Sequence, residues 1–226
     1  MKGERLHMRL CLAVCLLSLA LATGASAGLF FDDFTSGPSP WWGHENGTWV
    51  VTDGEYHATT GDNYSCIYSS LPWQVTDFTL EFDIKDPLKP YGGGDVGVFF
   101  RSSDWGHGYA WILNGGGFTY AHVNTTGGWG PITPGPTGPW TSDVHLRLEA
   151  TGNIYSGYIN GTFIGSMGDL TWPSGKVALY EWGNRRFDNV ALTASGVPDV
   201  PEPASCALLA LAMGGIGVML KRRKKA

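Results

Sequence analysis

Helix periodicity, positive charge and cysteine are all scarce in the middle of this chain, and each scarcity excludes something. Between Gly28 and Asp199 seven Lys and Arg stand against eighteen Asp and Glu, a net charge of −11 beneath a whole-chain value of −5. Two basic ends conceal it. So acidic a stretch has no basic face for nucleic acid or anionic lipid, which leaves neutral sugars and divalent cations as ligand classes. The four cysteines sit at 11, 15, 66 and 206, so Cys66 is alone between the ends and no disulfide forms there. A domain of about 165 residues buries an adequate core without one, and Cys66, in Tyr64-Ser65-Cys66-Ile67-Tyr68, reads as a small buried hydrophobe. No Gly-x-Ser-x-Gly elbow, zincin histidine pair or Cys-His arrangement occurs, and the six histidines are scattered without ligand spacing. What is plentiful is glycine, at 33, and tryptophan, at 10. Many turns and many flat apolar surfaces suit an all-β sugar-binding domain.

The ends are addresses. Lys2, Arg5 and Arg9 precede an apolar run from Leu10 to Ala22, and Ala25-Ser26-Ala27 supplies the small residues of a signal-peptidase site, so residues 1–27 are expected to be a signal peptide cut after Ala27. Leu12-Ala13-Val14-Cys15 is no lipobox, because Val14 stands where a small residue is needed. At the other end Val200-Pro201-Glu202-Pro203 leads into an uncharged run from Cys206 to Leu220 and then Lys221-Arg222-Arg223-Lys224-Lys225. Fifteen residues make a helix of roughly 22 Å, marginal against a hydrocarbon core about 30 Å thick. Such a segment lodges in a membrane without being a firm anchor, and the cations behind it keep that end in the cytoplasm. This order of motif, apolar run and basic tail resembles the PEP-CTERM signal of exopolysaccharide-producing Gram-negative bacteria, which the membrane enzyme exosortase reads. The resemblance implies processing by exosortase at Val200, Pro201, Glu202 and Pro203. The expected map is a domain over 28–194, a linker over 195–205, a transmembrane helix over 206–220 and a cytoplasmic tail over 221–226.

Within the domain Phe78, Leu80, Phe82 and Ile84 alternate with Thr79, Glu81, Asp83 and Lys85, the pattern of a strand with one buried face. Asp53-Gly54 and Asn160-Gly161 suit the positive φ angles of two-residue hairpins. Further strands are expected near 30–34, 64–70, 96–101, 108–114, 117–123, 144–149, 153–159, 175–181 and 186–193, about a dozen in one antiparallel sandwich. Residues 127–140, with recurrent prolines, read as a long loop. Phe30-Phe31-Asp32-Asp33-Phe34, Trp49 to Tyr56, Phe82-Asp83-Ile84-Lys85, Val96 to Arg101, Tyr158-Ile159-Asn160-Gly161 and Phe187-Asp188-Asn189-Val190 follow in the order of laminin-G-like, concanavalin-A-like jelly rolls. The resemblance spans residues 29–193 and implies a two-sheet antiparallel jelly-roll sandwich that often binds carbohydrate, sometimes binds calcium and has enzymatic branches.

Those branches fit poorly. Laminarinase-type hydrolases carry Glu-x-Asp-x-(x)-Glu on one strand, with nucleophile and acid about 5 to 5.5 Å apart. Glu81-Phe82-Asp83-Ile84-Lys85-Asp86 is a degenerate copy, with Asp86 in place of the acid Glu and Pro87 beside it. Glu81 and Asp83 read instead as the polar face of a strand, with Arg101 and Arg147 as cross-strand partners. The 3-keto-disaccharide hydrolases resemble the general layout, yet Gly108 to Asn114 lacks the acid and Gln expected there. The chain therefore reads as a non-enzymatic polysaccharide binder, with a glycan hydrolase and a structural matrix component as the alternatives.

Binding residues are sought among aromatics in Gly-rich turns, where an indole can stack on a sugar ring beside hydrogen-bonding neighbours. Trp105 with Asp104, His107 and Tyr109, then Trp129, and Trp182 with Arg185 are the candidates. Trp49, Trp111, Phe78, Phe82 and Phe163 fall in strand patterns and are assigned to the core. No motif demands a cofactor. The fold tends to join its first and last strands, which would bring Asp32 and Asp33 near Asp188, a site for calcium (Ca2+).

Overall fold

The computed structural model describes residues 27–59, 67–85, 95–104, 106–114, 117–123, 129–137, 143–181 and 185–199. Its elements are all strands: β1 (Ala27–Asp32), β2 (Trp49–Thr52), β3 (Glu55–Ala58), β4 (Ile67–Ser70), β5 (Phe78–Lys85), β6 (Val96–Asp104), β7 (His107–Asn114), β8 (Gly117–Val123), β9 (Trp129–Thr137), β10 (Val144–Thr151), β11 (Ile154–Ile159), β12 (Thr162–Gly168), β13 (Lys176–Glu181) and β14 (Arg186–Ser195). They form a two-sheet antiparallel jelly-roll sandwich, as the alternating pattern requires. One sheet runs β12-β11-β10-β5-β14-β3-β2 with β1 also on β14, and the other runs β4-β13-β6-β7-β8-β9. The signal and transmembrane helices expected at the ends lie outside the described residues. Among the described residues no helix is long and apolar enough to cross a membrane.

Each sheet sends one face inward. On β5 the buried set is Phe78, Leu80, Phe82 and Ile84, and they meet Val98, Phe100, Trp111 and Leu179 from the other sheet in a single core. Asp53 and Asn160 adopt φ of 57° and 49°, so the Asp-Gly and Asn-Gly turns take the left-handed geometry their sequences suit. The first and last strands do pair, from Ala27 against Ser195 to Asp32 against Val190. β14 shares its free edge between β1 and β3, and a bulge at Asn189, φ 51°, marks the change.

Three expectations need correction here. Residues 129–137 are a strand, not a loop: β9 lies at the edge of the six-stranded sheet, where prolines interrupt no ladder on the outer side. Phe163 is 55% exposed, because β12 is the edge strand of its sheet and the ring packs edge-on to Tyr158 instead of entering the core. Arg101 is fully buried and serves no cross-strand carboxylate of β5. A left-handed backbone (φ 45°) turns it toward the end of the sandwich, where the guanidinium donates to the carbonyls of Thr76 and Gly152 and to the Tyr155 hydroxyl. One cation thus ties three separate chain segments together, and the desolvation cost is offset by charge-assisted hydrogen bonds.

Candidate functional site

Two outer faces and one turn hold the candidates. At the turn between β6 and β7, Asp104 and His107 face each other across the antiparallel pair. The Nδ1 of His107 lies 2.8 Å from both Asp104 carboxylate oxygens, and the Gly106 N–H donates to the same carboxylate at 2.7 Å. Partial burial works against the charge on Asp104, but these bonds outweigh it and hold the carboxyl below the usual carboxylate range. Both side chains stay well exposed, so a ligand can reach this acceptor–donor pair. Trp105, between them, lies outside the described residues.

Beside the turn, a cleft of about 70 Å³ opens on the outer face of the six-stranded sheet, lined by Glu45, Tyr68, Ser103, Asp104 and Lys176 among others. Glu45 reaches it from a loop and accepts from the Ser70 N–H at 2.8 Å and from the Ser70 hydroxyl, with Lys176 Nζ at 3.9 Å. From the cleft the outer face continues as an apolar strip. Phe99, Ala110, Ile112, Ala178 and Tyr180 form a second cluster, separate from the main core, with Tyr68 packed against it. Phe99 stands 4.8 Å from Tyr180 and 6.2 Å from Tyr68. Gly97 belongs to this face, and a Cβ there would strike the Trp111 carbonyl, so only glycine allows β6 and β7 to approach so closely.

The outer face of the eight-stranded sheet is charged. Asp83 accepts from His145 Nδ1 and Asn189 Nδ2, each at 2.8 Å, and Glu81 lies 3.8 Å from His145 Nε2. Lys85 reaches Asp143 at 3.1 Å and Asp188 at 3.5 Å. Arg147 pairs with Glu149 at 3.1 Å and lies 4.1 Å over the Tyr158 ring, so its partner is not the Glu81 that faces it in register. The partner of β5's acids is His145.

The remaining sequence candidates divide sharply. Tyr109 is fully buried: its hydroxyl donates to Asp169 at 2.5 Å, accepts from the Trp172 N–H at 3.0 Å, and its ring stacks on Phe100. It ties β7 to the connection between β12 and β13 and offers no surface to a ligand. Arg185 is buried too, beside the Glu181 carboxylate. Glu181 accepts from the Ala58 N–H at 2.9 Å, and its burial between the sheets pushes the carboxyl up to about 8. Trp129 opens β9 opposite Val123. Trp182, Ala25 and the residues from Val200 to Pro203 lie outside the described residues, whereas Ala27 pairs with Ser195 at the start of β1.

Nor do the three candidate calcium ligands converge. Asp32 alternates with Phe30 and points inward, where it accepts from the Phe34 and Ser39 N–H groups and from Trp42 Nε1 at 2.8 to 3.0 Å. Asp33 accepts from Thr35. Asp188 follows the buried Phe187 and faces outward to Lys85. The carboxylates of Asp32 and Asp188 are on opposite faces of the sheet, and among the described residues no group of three His, Cys, Asp or Glu could hold a metal ion.

Comparison with known proteins places the tail and the fold. Residues 199–224 match the PEP-CTERM protein-sorting motif. The chain carries a PEP-CTERM sorting motif. No curated protein matches the chain. Among solved structures, the carbohydrate-binding module CBM66 from Bacillus subtilis superposes with a TM-score of 0.54 at 20% identity, over 66% of this chain and 93% of that one. A putative glycosyl hydrolase from Parabacteroides distasonis gives 0.52 at 16% identity, over 72% and 90%. A prokaryotic β-1,3-1,4-glucanase (lichenase) derived from a mouse hindgut metagenome gives 0.54 at 10% identity, over 75% and 100%. At such identities the likeness is one of fold.

Sequence reasoning overlooked the apolar strip beside the β6–β7 turn. The signal was present: Val96 to Phe100 and Val177 to Tyr180 are apolar at nearly every position, so both faces of β6 and β13 are apolar where a strand with one solvated face would alternate.

Proposed function

We propose that the domain binds a neutral polysaccharide, without cleaving it, on the outer face of the six-stranded sheet at the β6–β7 turn. The observation that carries this is the exposed Asp104–His107 pair set beside the Glu45–Lys176 cleft. Sugar rings present apolar C–H faces and hydroxyls at once, so a site needs flat side chains next to fixed donors and acceptors. Trp105, within this turn, is the intended stacking platform, with Trp129 and Trp182 as further candidates. The acidic domain disfavours an anionic polymer. That a carbohydrate-binding module shares the fold supports the reading, although glycan-cleaving enzymes share it as well.

The sorting motif supplies the address. In this reading the chain is exported, held in the inner membrane by residues 206–220, processed by exosortase at Val200 to Pro203 and delivered to the cell surface or extracellular matrix. A glycan array probed with the full chain in detergent tests the binding claim. A hit that weakens about tenfold or more in Trp105→Ala supports it, and an array without hits would leave a structural matrix role as the better account.

A further inference from the structure

The last described residues fold back onto the first. The chain turns at Gly196 (φ 83°), buries Val197 and passes so close over Gly28 that a Cβ there would strike the Val197 carbonyl. Asp199 then accepts from the Leu29 N–H at 3.0 Å. The tail therefore leaves the domain beside β1.

Two Pro-Trp corners meet at this same strand. Trp73 packs on Phe30 with ring centroids 5.4 Å apart, and Trp41 lies 5.5 Å from Trp73. Trp41 is 43% exposed, and Pro40 and Pro72 are exposed. The exposure of Trp41 is built in. Asp32 draws Ser39 and the Trp42 indole inward through a single carboxylate oxygen, Oδ2, which turns the intervening Trp41 outward.

We propose that Trp41 and Trp73 are a membrane-interface contact, seated in the headgroup layer of the bilayer that holds the tail. The proposal rests on the reading that residues 206–220 lie in that bilayer. Six residues, 200 to 205, separate Asp199 from the apolar run, and at full extension they reach only about 20 Å. The exit side of the domain is thus confined to the membrane surface. Indole rings favour the boundary between hydrocarbon and water, where their apolar body and N–H are both served. With a domain charge of −11 the contact cannot be Coulombic attraction to anionic lipid. It is an aromatic one, and it fixes the orientation in which Val200 to Pro203 is presented to a membrane enzyme.

The test uses the full chain reconstituted with phosphatidylcholine vesicles whose acyl chains carry bromine near the headgroup. Flotation comes first: a chain that fails to float overturns the tail reading itself. In the floating chain the bromine is expected to quench part of the tryptophan emission. Trp41→Ser should remove much of that quenching with an unchanged melting temperature, and Trp41→Ser with Trp73→Ser should remove more. Unaltered quenching in Trp41→Ser would overturn the proposal. So would a Trp41 shielded from both bromolipid and aqueous acrylamide, the result expected if a second copy or the tail covers the patch. A quenching that rises with added phosphatidylglycerol and falls with salt would also count against it, since it would reveal an electrostatic contact.

Discussion

On the outer face of the eight-stranded sheet each charged side chain of β5 and β10 has an ionic or imidazole partner, from Glu81 and Asp83 around His145 to Arg147 with Glu149. On the outer face of the six-stranded sheet Phe99, Ile112 and Tyr180 touch one another and are almost wholly withdrawn from solvent. The first surface satisfies itself. The second holds apolar area beyond what the core between the sheets requires, and it borders the exposed Asp104–His107 pair. The pairs of the first surface run across its strands and enclose no cleft, whereas the exposed carboxylate and imidazole of the β6–β7 turn stand at the rim of a cleft that a ligand can enter.

The contrast breaks most visibly in stability. Phe99→Ala on the six-stranded face should cost about 3 kcal/mol, the scale for deleting a buried Phe, while Phe163→Ala on the exposed edge of the other sheet should cost less than about 0.5 kcal/mol. Urea denaturation of the two variants measures both, and equal losses would mean that the strip is ordinary surface.

A second effect belongs to the inner side of β13. Glu181 has its folded value raised to about 8 from 4.5, mainly by burial. An acid raised in this way favours folding fully below its unfolded value, and the contribution is lost as pH climbs toward the folded one, because the folded chain then holds a proton that the unfolded chain gives up. Stability should therefore fall between about pH 4.5 and 8, by up to about 1.4 kcal/mol per pH unit, and level off above. Glu181→Gln should flatten that slope in melting temperatures taken across the range. A slope of the same size in the variant would assign the pH dependence to other groups.

How much of this was readable beforehand follows from particular residues. Strict alternation located β5, and the two Asp-Gly and Asn-Gly turns located their hairpins, because local chemistry decides both. Tyr109 could have been assigned correctly, since it shares phase with Trp111 and Leu113 on β7 and so faces the core with them. The tempting neighbours Asp104 and His107 obscured that. β9 was hidden because prolines weaken a strand assignment except at an edge, and edge position is a property of the whole sheet. Arg101 and Arg185 gave no warning of burial: one depends on a left-handed φ at a bulge, the other on Glu181 four residues earlier. The separation of Asp32 from Asp188 rests on which way each points from paired strands, and pairing alone does not settle that.

A smaller effect is expected on the self-satisfied face. His145→Ala removes exposed pairings to Asp83 and Glu81 and should shift stability by no more than about 1 kcal/mol, with polysaccharide affinity unchanged. A marked loss of affinity would move the ligand to the wrong sheet.

The most direct measurement compares the two faces with one ligand. For a polysaccharide found on the array, affinities of Trp105→Ala, His107→Ala and Glu81→Gln are measured by calorimetry, together with release of reducing ends. The account predicts a loss of about tenfold in the first two, none in the third, and no reducing ends from any form of the chain. Unchanged affinity in Trp105→Ala and His107→Ala would contradict it, and so would turnover that Glu81→Gln abolishes, which would make the charged face of β5 an active site.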